Sequence, residues 1–134
     1  MLPQPSVLRR FVGPALTSLA TRDLRLVRAV RAWSMARIGG VAAGARLEAL
    51  LGTRDAATAF DRYMDAALVT WPEPPLVCRP CCGVASFDEC TLAAMVVLAG
   101  RTDRARFDSL THEMLGEAAR NLLYARALAV AGAL

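Results

Sequence analysis

Apolar residues recur along this chain at three- and four-residue intervals, the pattern of helices with one buried side. Val7, Leu8, Phe11, Val12, Ala15, Leu16 and Leu19 predict an amphipathic helix within residues 1–20, bent or restarted at Pro14. Thr21 is the expected cap of a second helix running to about Ile38, with Leu26, Val30 and Trp33 on its apolar side and Leu24 and Val27 on the flank. Gly39, Gly40 and Gly44 break the pattern, and a short helix over 45–51 closes at Gly52. The clearest stripe follows, started by Thr53 or Asp55: Ala56, Ala59, Phe60, Tyr63, Met64, Ala67, Leu68 and Trp71, with Asp61, Arg62 and Asp65 opposite.

Pro72 stops that helix, and the segment from Trp71 to Pro75 is stiff because each proline fixes its own φ and restricts the residue before it. It opens a Pro/Cys-rich loop over 72–86. Ser86-Phe87-Asp88-Glu89 then reads as a capping box, with Ser86 at N-cap and Glu89 at N3. A helix over 87–99 stops at Gly100. Thr102 caps the next, whose face carries Phe107, Leu110 and Met114 and which Gly116 ends. The last spans 117–131, with Leu122, Leu123 and Val130 as core candidates. No strand pattern or fixed-period repeat competes. The expectation is a single all-α domain over 1–134, a compact orthogonal bundle of six or seven short helices.

Composition agrees with that reading. Of 134 residues 55% are hydrophobic and 21% charged, which excludes a disordered chain. No apolar run approaches the roughly 20 residues that a membrane span needs, so no membrane is expected. Many stripe positions are Ala, which buries little area at about 25 cal/mol per Å² and leaves reason to seek a partner. Homodimerisation through the N-terminal helix, or through Phe60, Met64 and Trp71, is the form considered. All 16 basic residues are Arg and the net charge is +4, which suggests GC-rich coding of bacterial style. Arg9 and Arg10 before residues 11–20 resemble a secretory or twin-arginine signal. Gly13-Pro14, Thr17 and Ser18 interrupt it and the small-residue cleavage pattern is poor, so a cytoplasmic location is expected.

The chemistry is concentrated in Cys78-Arg79-Pro80-Cys81-Cys82-Gly83. Adjacent Cys81 and Cys82 are too close for a relaxed disulfide, so free or metal-bound thiols fit better. Two thiols in a CxxC turn can hold zinc, and Gly83 resembles the glycine of zinc knuckles. Cys78, Cys81, Cys82 and Cys90 would complete a four-thiolate site, or His112 could replace one of them. An iron–sulfur cluster would use similar ligands, though the spacing matches no ferredoxin pattern, and the second CxxC of a strong zinc signature is absent. Cys78-Arg79-Pro80-Cys81 also resembles thioredoxin-type active sites, which implies a stabilised thiolate at a helix N-terminus, but no βαβ pattern surrounds it. The plain alternative makes the cysteines small buried hydrophobes, with Arg79 paired to Glu73 or Asp88.

Arg22, Arg25, Arg28 and Arg31, at i+3 steps, could track phosphates or a protein partner, as could Arg79. A helix-turn-helix drawn from 87–99 and 102–115 carries Asp103, Asp108 and Glu113 against Arg104 and Arg106, a poor phosphate surface, so nucleic acid is disfavoured. His112 lacks a nucleophile beside it, and Asp61 with Asp65 lack the Glu-x-x-His of a di-metal bundle. The reading is a non-enzymatic protein-interaction or regulatory module centred on the Pro/Cys loop, with a Cys-ligated structural metal as an option. A metal- or thiol-based redox sensor and a DNA-binding regulator are the alternatives.

Overall fold

The computed structural model describes residues 13–134, so the expected helical stripe at Val7, Leu8, Phe11 and Val12 lies outside it. Among the described residues six α-helices follow in order: α1 Thr21–Ile38, α2 Gly44–Leu51, α3 Arg54–Thr70, α4 Phe87–Gly100, α5 Arg104–Thr111 and α6 Glu117–Ala133. This is the all-α bundle of short helices that the periodicity implies. None of these helices is long and apolar enough to cross a membrane.

The strongest stripe sits at the centre of the packing. Helix α3 lies between α2 and α6, α4 lies against α1 and α6, and α5 closes the side formed by α4 and α6. Phe60, Tyr63 and Met64 of α3 are buried together with Leu26 and Val30 of α1, Leu47 of α2, Leu92 and Met95 of α4 and Leu123 of α6. Because Phe60, Met64 and Trp71 are spent inside the fold, that stripe offers no dimer surface. The Tyr63 hydroxyl donates to the Leu92 carbonyl at 2.8 Å, and burial raises its pKa. Helices α4 and α6 approach closely at Gly100, where an added Cβ would stand 2.9 Å from the Ala131 Cβ.

The helix ends follow local chemistry. Thr53 caps α3, its hydroxyl accepting from the Ala56 amide at 3.0 Å, and Gly52 closes α2 at φ 96°. Ser86 and Glu89 form the expected capping box of α4. Two expected caps shift by one residue. Thr21 is the first helical residue of α1, after Ala20. Thr102 takes a left-handed conformation at φ 54°, where the Asp103 amide reaches back to the Leu98 carbonyl at 3.0 Å, and Asp103 caps α5 instead.

Two further expectations are corrected. Residues 13–15 do not continue an N-terminal helix: they run extended to a 3-10 turn at Leu16–Ser18. Pro14 favours this, since it cannot donate and disfavours helix just before it. Leu122 is 38% exposed, and the inward positions of α6 are Leu123, Ala127 and Val130.

Candidate functional site

The first turn of α4 organises the Pro/Cys loop. Ser86, Asp88 and Glu89 are all buried, and each holds a different part of the chain that precedes them. The Ser86 hydroxyl donates to the Leu76 carbonyl at 2.6 Å, while Asp88 accepts from the Leu76 amide at 2.7 Å and from the Trp71 indole at 3.4 Å. Glu89 accepts from the Ser86 amide at 2.8 Å and the Cys78 amide at 3.2 Å. Arg31 of α1 completes the arrangement. Its Nε donates to Glu89 at 2.7 Å and its terminal nitrogens to the carbonyls of Cys82 and Val84, each at 2.8 Å. A buried ion pair persists where its remaining polar atoms are satisfied, and here loop backbone does that. The hydrogen bond that it donates to Glu89 holds the Arg31 guanidinium above its ordinary pKa.

A backbone clip closes the far side of the loop. The Ala85 amide donates to the Pro14 carbonyl at 2.9 Å, the Leu16 amide donates to the Gly83 carbonyl at 2.9 Å, and Ala15 bridges Val84 between them. Gly13 is required there: a Cβ would fall 1.6 Å from the Ala85 carbonyl oxygen.

The four cysteines are free thiols in three settings. Cys78 and Cys82 are half-buried neighbours, the Cys82 thiol donating to the Val84 carbonyl at 3.4 Å. Cys81 is exposed at the tip, and Cys90 stands on α4 near Asp23 of α1. His112 ends α5, exposed, with Nδ1 against the Ser109 carbonyl at 3.2 Å. Among the described residues no three His, Cys, Asp or Glu side chains form a metal-holding group. Residues 1–12 contain none of these residue types. The five sequence candidates, Cys78, Cys81, Cys82, Cys90 and His112, are thus not assembled as zinc or cluster ligands.

The thioredoxin-like resemblance also loses its physical basis. The loop does not place Cys78 at a helix N-terminus. Burial, with Glu89 alongside, pushes the Cys78 thiol up to about 11, the reverse of a stabilised thiolate. Cys90 moves upward for the same reasons.

The arginine row separates because i+3 spacing falls about 60° short of a full turn per step. Arg22 is exposed, Arg25 donates to the Leu50 carbonyl at 3.1 Å and ties α1 to α2, and Arg28 faces solvent. Arg31, half a turn round, is in the core, so it leaves the partner-contact set expected from sequence. Arg79 is exposed and is not paired with Asp88, whose carboxylate holds Leu76 and Trp71. The helix-turn-helix reading fares no better: Arg104 of α5 turns onto Asp108 at 3.0 Å and over the Tyr124 ring at 4.7 Å.

The structure adds a surface that sequence reasoning missed. Met35 (47% exposed), Ile38 (80%) and Val41 (66%) project where α1 turns into α2. Beside them a groove of about 460 Å³ runs between α1 and α2, lined by Met35, Val41, Leu50, Arg28, Arg46 and, from the cysteine corner, Pro80. The signal available in sequence was weak: Met35 and Ile38 lie off the stripe of Leu26, Val30 and Trp33, and Val41 sits in a glycine-rich turn. On the opposite side of that turn polar groups neutralise one another. The Trp33 indole donates to Asp61 at 2.8 Å, and Arg37 meets Asp65 at 3.2 Å and stacks 5.2 Å from the Trp33 ring. Comparison with protein-family models, with curated proteins and with solved structures finds no match.

Proposed function

We propose that this chain is a small helical protein-interaction module whose docking face is the α1–α2 turn with the groove that ends at Pro80. The observation that carries the reading is that the exposed apolar side chains of Met35 and Val41 line one concave surface, with exposed Ile38 on the next turn of α1 from Met35. Exposed apolar side chains that share one concave surface mark interaction sites more often than scattered single residues do. The buried Arg31–Glu89 pair supports the reading indirectly. It sets the Pro80 wall rigidly against α1, and a pre-formed wall lowers the ordering cost of binding. The cysteine corner then acts as a scaffold, held by backbone bonds, rather than as a reactive centre.

Selection of a displayed peptide library on the full chain tests this. Peptides enriched on the wild type and lost on a Met35→Asp, Val41→Asp variant are expected. Enrichment that is indifferent to those substitutions refutes the docking face.

A further inference from the structure

We infer that the α1–α2 groove takes an acidic amphipathic helix of a partner protein. This rests on the docking reading above and goes further by naming the partner's chemistry. Three properties of the groove lead to it.

The first is charge. No acidic residue lines the groove. Its ionic groups are the guanidinium groups of Arg28, Arg31 and Arg46, and Arg31 is already satisfied by Glu89. Arg28 and Arg46 have no ion-pair partner among the described residues, and Arg79, next to Pro80, has none either. Arg fits carboxylates as a planar fork, so the rim is complementary to Glu and Asp.

The second is the floor. Met35, Val41, Leu50 and Pro80 are apolar, and Met adapts its shape to varied side chains. No aromatic side chain lines the groove on which a base could stack. Two arginines beside a greasy floor suit a peptide better than a phosphate backbone.

The third is the walls. Besides residues 41–43 and Pro80 the lining comes from α1 and α2, whose backbone groups are internally bonded, so an extended strand would find no ladder along them, whereas a helix can seat apolar side chains between helical ridges. Other occupants fit less well. A second copy presenting the same groove in two-fold contact would bring only further arginines and no carboxylate to Arg28 and Arg46. Residues 1–12 of this chain carry Arg9 and Arg10 and no acid.

The test is fluorescence anisotropy with the full chain and two labelled helical peptides of the same Leu spacing, one flanked by Glu and one by Lys. The Glu peptide is expected to bind about tenfold or more tightly than the Lys peptide, with the gap narrowing as salt rises. An Arg28→Glu, Arg46→Glu variant is expected to reverse the preference, and Val41→Asp to weaken the Glu peptide about tenfold. Circular dichroism of each variant checks the fold. Equal binding of both peptides, lost together in Val41→Asp, overturns the acidic partner and leaves the docking face standing. Binding indifferent to Val41→Asp, or absent for both peptides, overturns this inference. So does an oligothymidine that displaces the Glu peptide at equal affinity, or a dimer that Val41→Asp dissolves and the Glu peptide does not.

Discussion

Two neighbouring regions of this molecule treat arginine in opposite ways. At the first turn of α4, Arg31 is withdrawn from water and its donors go to Glu89 and to two loop carbonyls. At the α1–α2 groove, one turn of helix away, Arg28 stays in solvent beside exposed Met35 and Val41. The first region is saturated and serves the fold. The second has unmet capacity, both apolar and ionic, and serves contact. The difference is set by rotation about a single helix rather than by residue type.

The contrast can be broken hardest at the saturated end. Arg31→Met or Glu89→Gln is expected to cost about 3–5 kcal/mol in urea unfolding, because each strands a buried partner. Replacing both with Met is expected to restore little, since the buried Ser86 amide and the half-buried Cys78 amide lose their acceptor and the Cys82 carbonyl loses its donor. Gly13→Ala attacks the same region from the backbone side and is expected to cost about 1–3 kcal/mol, as the clip against Ala85 must open.

Alkaline pH gives a graded version. The Cys78 thiol is raised in the folded state to about 11 from its ordinary 9.0. The folded protein therefore holds a proton that the unfolded chain releases, and stability falls as pH rises through that interval. Tyr63, also raised by burial, adds to the loss above pH 10. A thermal melting series from pH 8 to 11 is expected to fall, and Cys78→Ser to flatten its first part. The smallest effect belongs to the open end: Met35→Ser and Val41→Ser are expected to change stability by less than about 0.5 kcal/mol, while removing peptide binding.

The legible parts of this fold were those written locally. The α3 stripe and the α4 capping box each lie within one helix and emerge from spacing alone. Helix α6 was harder to orient, because Leu122, Leu123, Leu128 and Val130 place apolar groups on several sides and periodicity cannot choose among them. The Arg31–Glu89 pair was invisible for a different reason: 58 residues separate its members, and nothing in a row of four arginines singles out one. The groove needs three segments, α1, α2 and Pro80, brought together. The cysteine cluster was conspicuous in sequence, yet its carbonyls and amides, not its sulfurs, carry the main interactions.

The long reach of that ion pair bears on how the chain acquires its structure. While α1, α2 and α3 are assembling, the guanidinium of Arg31 has no counter-charge, because Glu89 belongs to a later part of the chain. The groups that bond Arg31 all come from residues 82–89, so in α1–α3 alone that guanidinium stays in water. The Arg31 side of α1 is therefore sealed only when the loop and α4 arrive, and its exclusion from water is expected to coincide with α4 docking rather than with assembly of the first three helices.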